Sequence, residues 1–260
     1  MAFMIRFLCI YLSFLVILQA EGYLPRYRVT PEGSLYKFST NYRAKFTSPD
    51  EIRTLNEQIE GKFEDKQVKE LEDGVQRVER RIHVETYIHN GTEESIDPEL
   101  ADLSNYEYIL DPRKGKVKLT GNKTYDAEDA MEMVVAFPRK EIQVGDTWKA
   151  DLFFNLKQSG ARIPLRGAFK LMDVQGNIAR IVGKYSADIK PTKALDYQGG
   201  IKWDSEFYFN LSKGEIERGK FVIVLKYFSR SNFAKTFYLQ SNKKERIGYA
   251  FSLTSSFHKE

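Results

Sequence analysis

From Tyr36 to Phe46 the chain alternates. Tyr36, Phe38, Thr40, Tyr42, Ala44 and Phe46 fall on one parity, and Lys37, Ser39, Asn41, Arg43 and Lys45 on the other. A period of two puts one set of side chains on each face of a pleated strand, so this stretch predicts a strand with one buried face. Gln76 to Ile88 repeats the pattern: Val78, Ile82, Val84 and Ile88 alternate with Arg77, Glu79, Arg81, His83 and Glu85. His89-Asn90-Gly91 ends it, and Asn-Gly is a strong hairpin signal. The chain holds 15 Tyr and 18 Phe in 260 residues. Aromatic rings favour half-buried pleated surfaces, which again leans towards sheet.

The remaining chain fits the same class. Trp148 to Leu156, Ile163 to Asp173, Ile178 to Ile189, Ile201 to Leu211 and Glu215 to Phe228 suit strands, and Phe233 to Leu239 with Ile247 to Phe257 suit a closing hairpin. Thr92 to Ser104 is acidic and reads as loop, and Tyr125 to Met133 as a short helix or loop crossing. One segment supports two readings. Ser48-Pro49-Asp50-Glu51 has the cap, proline and glutamate of a helix start, and Ile52, Leu55 and Ile59 have near-helical spacing. Leu55, Ile59 and Phe63 also share strand parity, and the neighbouring strands favour that choice.

Turn chemistry recurs. Leu110-Asp111-Pro112-Arg113-Lys114-Gly115 matches Phe209-Asn210-Leu211-Ser212-Lys213-Gly214, and Met172 to Ile178 is a version one residue shorter. Asp or Asn opens each turn and Gly takes the positive-φ position, so three similar hairpins are expected. A further distinctive block runs from Phe137 to Trp148. Pro138 fixes φ, Gly145 permits a bend, Asp146 can close an Asx turn, Val144 precedes the bend and Trp148 brings a large side chain to bury. The block reads as a structural hinge between two sets of strands.

The N-terminus reads as an export signal. Arg6 precedes the apolar run Phe7 to Leu18, and Leu18-Gln19-Ala20 offers a cleavage site. The run is shorter than the roughly 20 apolar residues of a membrane-spanning helix. Cys9 lies inside the run and not at its end, so lipidation there is not expected. Cleavage after Ala20 leaves a chain without cysteine, which removes disulfides, thiol catalysis and cysteine-based zinc sites. It also removes Arg6, the one charge in that segment, and lowers the net charge from +4 to +3. That balance is too mild to imply nucleic acid. Residues 21–260 then form a β-rich domain, and a change of character near Glu128 to Phe137 would divide it into lobes 23–130 and 131–260.

No catalytic constellation emerges. His83, His89 and His258 are scattered: His83 and His89 lie six residues apart on one strand, roughly 20 Å when extended. Asp126, Glu128, Asp129 and Glu132 lack the spacing of a calcium loop. Ser241-Asn242-Lys243-Lys244 has Ser-x-x-Lys spacing, but in a turn where that spacing loses its helical meaning. Asn90-Gly91-Thr92, Asn122-Lys123-Thr124 and Asn210-Leu211-Ser212 fit glycosylation sequons, relevant only in a eukaryotic secretory pathway. No catalytic residue, metal or cofactor is expected.

The most aromatic strands raise the question of a ligand. Trp203, Phe207 and Phe209 share one parity with Tyr208 opposite, and Phe221, Tyr227 and Phe228 follow on the next strand. An ordinary core explains Trp203, Phe207, Phe209 and Phe221, while a curled sheet would make them the lining of an apolar cavity.

Phe137-Pro138, Val144-Gly145-Asp146-Thr147-Trp148 and the Leu110-Asp111…Gly115 hairpin together resemble uncharacterised exported β domains of bacterial envelope proteins. They are similar to the N-terminal region attached to OmpA-like domains in some spirochaete proteins. The resemblance spans roughly Tyr27 to Phe257 and implies a periplasmic, cell-surface or outer-membrane-associated location, with envelope proteins as partners. It brings no catalytic residues. With Glu260 as the last residue no separate peptidoglycan-binding domain is expected, and hence no wall anchoring. The expected fold is all-β, a mostly antiparallel curled sheet of barrel- or sandwich-like form with at most one or two short helices. The expected function is a non-enzymatic binding or structural role. A carrier of lipid or another apolar ligand is the alternative, followed by a hydrolase without a recognisable motif. A transmembrane barrel ranks last, because its strands would carry dense charge on one side.

Overall fold

The computed structural model describes residues 22–48, 51–95, 106–120, 135–156, 161–190, 197–229 and 247–260. Outside them lie the apolar run Phe7 to Leu18 with Cys9, the acidic group Asp126 to Glu132, the triplet at Asn122, and the whole of Tyr125–Met133, Phe233–Leu239 and Ser241–Lys244.

Among the described residues the strands are β1 (Ser34–Thr47), β2 (Ile52–Glu70), β3 (Gln76–His89), β4 (Thr92–Glu93), β5 (Tyr106–Asp111), β6 (Gly115–Thr120), β7 (Thr147–Trp148), β8 (Leu152–Leu156), β9 (Ala161–Gln175), β10 (Ile178–Ile189), β11 (Tyr197–Asn210), β12 (Glu215–Ser229) and β13 (Ile247–Lys259). A single 3-10 turn, Glu72–Gly74, accompanies them. Every pairing is antiparallel, in the order β6-β5-β3-β2-β1-β13-β12-β11-β10-β9-β7, with β4 on β3 and β8 on β9. The sheet is open: β6 and β7 stand at its two ends. β13 lies between β1 and β12, so the early and the late strands meet through the last one.

Tyr36, Phe38, Thr40, Tyr42, Ala44 and Phe46 share the core-bearing inner face, as their alternation predicts. The Ser48–Glu51 motif makes its local bond, with the Glu51 N–H donating to Ser48 Oγ (3.0 Å). That bond closes the β1–β2 hairpin instead of starting a helix, because Thr47 already pairs with Ile52. Two of the three similar turns are alike: Asp111 Oδ1 accepts from the N–H groups of Arg113 and Lys114, and Asn210 Oδ1 from those of Ser212 and Lys213. The third differs from the expectation. Gln175 pairs directly with Ile178 across a two-residue loop, and Asp173 faces Arg180 beside a register shift.

β3 departs from simple alternation. Val84 pairs with Gly61 but Thr86 pairs with Glu60, so Glu85 is an extra residue, a β-bulge. One extra residue exchanges the faces of everything beyond it. Tyr87 and His89 therefore turn inward against Ile59 and Glu57, and Ile88, expected inside, turns outward against Gln58. His83, opposite Lys62, stays outside.

The sheet curls strongly at one end. Leu110 on β5 and Ile216 on β12 line one cavity of about 30 Å³ with Tyr36, Asp65, Arg80 and Tyr108. Those strands stand five steps apart in the sheet order, ~24 Å if it were flat. An irregular segment, Tyr23 to Val29, stitches this end. The Tyr27 N–H donates to Pro112 O (2.6 Å) and the Arg28 N–H to Gly214 O (2.7 Å). Val29 exchanges hydrogen bonds with the Gln76 side-chain amide (2.8 and 3.0 Å). Gly214 is required twice over: its φ is +75°, and an added Cβ would sit 2.6 Å from Arg26 O.

The Phe137–Trp148 block is a strap across this end. The Phe137 N–H donates to Arg113 O, Ile142 pairs with Tyr23, and the Gly145 N–H donates to Leu171 O on β9. Gly145 takes φ +96°, and Asp146 Oδ2 accepts from the Gln143 N–H (3.0 Å). Val144 is exposed and Pro138 half-buried, while Phe137 and Trp148 are buried. Trp148 Nε1 donates to Ala136 O (2.6 Å), and its ring lies between Phe137 and Phe169.

Candidate functional site

The aromatic residues singled out in the sequence lie in the packed core. Trp203, Phe207, Phe209 and Phe221 are each at most 2% exposed. Phe209 packs edge-on against Tyr27 and Phe137 and Trp203 edge-on against Phe169, while Tyr185 lies tilted beside Trp203 and Phe257 tilted beside Phe207. Pairs of this kind contribute about 0.5–1.5 kcal/mol each beyond area burial. The strap and the N-terminal segment cover this part of the inner face.

Two carboxylates buried at the closed end have resident cations. Asp65 accepts two hydrogen bonds from Arg80, from Nε at 2.7 Å and from Nη2 at 2.5 Å, and both side chains are nearly inaccessible. The Arg80 guanidinium also lies 4.2 Å from the Phe63 ring centre. Glu215 accepts from Ser34 Oγ (2.9 Å) and from Lys259 Nζ (2.6 Å). Burial, with Asp65 and Glu215 nearby, pushes the Tyr36 phenol well above its ordinary range. Burial and Asp65 do the same to Tyr108. This cluster is structural: every charge has a partner and the cavity holds little more than a water.

Beyond Phe38 the same face opens. Phe38, Tyr42, Ile59, Tyr249, Phe251 and Leu253 are all half-buried. The register makes them contiguous: Tyr42 stands opposite Leu253, Ala44 opposite Phe251, and Phe46 opposite Tyr249. The Tyr42 ring lies 4.9 Å from Phe251, and the Tyr42 and Tyr249 hydroxyls share a hydrogen bond (3.0 Å). From the level of Phe38 to that of Tyr249 the surface runs about 26 Å along the strands, and at its far end Ala44 and Phe46 are buried against Tyr42, Leu55 and Tyr249.

Within this open half sits Glu57, on the inner parity of β2 between Tyr42 of β1 and His89 of β3. Its Oε1 accepts from the Tyr87 hydroxyl (2.9 Å) and lies 3.6 Å from His89 Nδ1. Burial, and then the bond to Glu57, push the Tyr87 phenol up to about 12. Glu57 has no lysine or arginine partner among the described residues. Alternation marks Glu57 and Asp65 as carboxylates on an apolar parity, and Arg80 likewise among Val78, Ile82 and Val84. That signal was available. The inward turn of Tyr87 and His89 was not, because it follows from the bulge.

No helix among the described residues is long and apolar enough to cross a membrane. No family model and no curated protein matches the chain. Among solved structures it is similar to one described as "Lipid-protein interactions in lipovitellin", with 8% identity and a TM-score of 0.48 over 88% of this chain. The match spans 25% of that chain, and at this level it has no bearing on a ligand.

Proposed function

We propose that the chain is an exported, non-enzymatic binding protein of the bacterial envelope that carries a lipid or another apolar ligand on the open half of its inner face. One observation carries the reading: a single sheet face is sealed by aromatic packing at one end, and beyond it Tyr42, Ile59, Tyr249, Phe251 and Leu253 stay half-buried beside the buried Ala44, Phe46, Ile223 and Leu225. Apolar surface left in water costs about 25 cal/mol per Å², and contiguous patches of it mark binding surfaces. An acyl chain fills half of a hydrocarbon core, ~15 Å, and fits within the length available. A curled sheet receives a slender chain better than a flat protein surface. Export is supported by Arg6 and the apolar run Phe7 to Leu18.

Native mass spectrometry of the purified protein tests this. A co-purifying lipid, lost in Leu253→Asp while the circular dichroism spectrum is kept, is the expected result. A clean apo mass with no response to added fatty acid would overturn the carrier reading. Turnover on a panel of ester, glycoside or peptide substrates would overturn the non-enzymatic one.

A further inference from the structure

Glu57 is a carboxylate on an apolar face without a cation of its own. Its side chain is 25% exposed, and its contacts are the Tyr87 hydroxyl and the His89 ring. The other two inner-face carboxylates described above, Asp65 and Glu215, are each held by a basic side chain. The basic residues nearest Glu57 in the register are otherwise placed. Arg43 and Lys62 sit on the opposite parity of their strands, and Arg53 is bonded to Glu51. Glu94, whose backbone N–H donates to Tyr87 O (2.9 Å), adds negative charge on the Tyr87 side.

Aromatic groups surround this charge. Tyr42 is directly opposite Glu57 on one side, with Tyr249 and Phe251 behind it. On the other side are Tyr87 and His89, ring centres 6.4 Å apart. A carboxylate among aromatic faces, at the edge of an apolar surface, attracts one chemical class most strongly: an organic ammonium. Its charge meets the carboxylate and the ring quadrupoles, and its methyl or methylene groups meet the ring faces. A phosphate or carboxylate presented alone would be repelled.

We propose that Glu57, with Tyr42 and Tyr87, recognises the ammonium headgroup of an amphiphile whose acyl chain lies along Phe251 and Leu253. The inference rests on the open half being an apolar-ligand site, and the test separates the two. Purified protein is titrated with lysophosphatidylcholine and with a monoacylglycerol of the same acyl chain. The choline lipid is expected to bind about tenfold tighter or more. Glu57→Gln retains an acceptor for Tyr87 and is expected to collapse that ratio towards one. Glu64→Gln, on the opposite face of the same strand, is expected to keep it. Tetramethylammonium chloride, compared with equal sodium chloride, is expected to shift the Tyr42 and Tyr87 ring signals in NMR, and not in Glu57→Gln. Equal affinity for the two lipids would overturn the headgroup inference and leave the carrier reading standing. Failure of monoacylglycerol to bind, with tetramethylammonium still shifting the tyrosines, would overturn the carrier reading and leave the ammonium site. Silence of all three probes would overturn both.

Discussion

Strand β2 carries Asp65 near one end of its inner face and Glu57 near the other. Asp65 is buried and clasped by Arg80; Glu57 is 25% exposed and meets a tyrosine hydroxyl and an imidazole. The difference follows solvent access. A fully buried carboxylate without a cation costs several kcal/mol, so at the closed end the chain supplies Arg80. At the open end water lowers the cost, and a carboxylate remains for an incoming group to meet.

The sharpest way to break this contrast is Arg80→Ala. It strands Asp65 in the core and is expected to cost about 3–5 kcal/mol in urea unfolding. The paired replacement Asp65→Leu with Arg80→Met is expected to return most of that stability, because it removes the charges together. A mild effect of Arg80→Ala alone would mean that the closed end is wetter than its packing indicates.

Trp148→Ala is expected to cost about 3–5 kcal/mol, since it empties the space between Phe137 and Phe169 and frees Ala136 O. A stable variant that loses lipid binding would give the strap a functional role.

Alkali should next loosen the closed end. Burial raises the phenols of Tyr27, Tyr36 and Tyr108 above their ordinary value of 10.0, and Tyr185 to about 12. Below pH 10 both the folded and unfolded chains keep these protons, and the stabilisation is complete. Above it the unfolded chain releases them first, so stability falls as pH rises towards the folded values. The urea midpoint should therefore fall as pH rises above about 10. A flat response would mean that these hydroxyls reach solvent.

Phe251→Ala, at the open end, is expected to cost only about 1–2 kcal/mol, because that ring is already half in water. Glu57→Gln should change stability by less than about 0.5 kcal/mol. A large loss there would make Glu57 structural, like Asp65, and remove the contrast.

Much of the fold was legible because its signals are local. The two-residue period of β1 marked its inner face, and Asp111 and Asn210 announced their turns. Trp148 is buried as its size suggested. Other features were ambiguous for equally local reasons. Ser48 and Glu51 form the same bond in a hairpin as at a helix start, and Met172 to Ile178 lacks one residue of its two counterparts. The four aromatic candidates were identified as interior residues, but nothing in their strands told a packed core from a lined cavity. The candidate site is elsewhere, at Glu57, Tyr42 and Tyr87.

What the sequence determined alone is the strand class, the turns and the parity within each unbroken run, since these depend on neighbours along the chain. Tertiary structure decided the rest: that β13 inserts between β1 and β12, that Asp65 meets Arg80, and that Glu85 bulges. Cross-strand register depends on which distant residues pair. A one-residue bulge in it turns Tyr87 and His89 inward to Glu57, a change that alternation along β3 cannot encode.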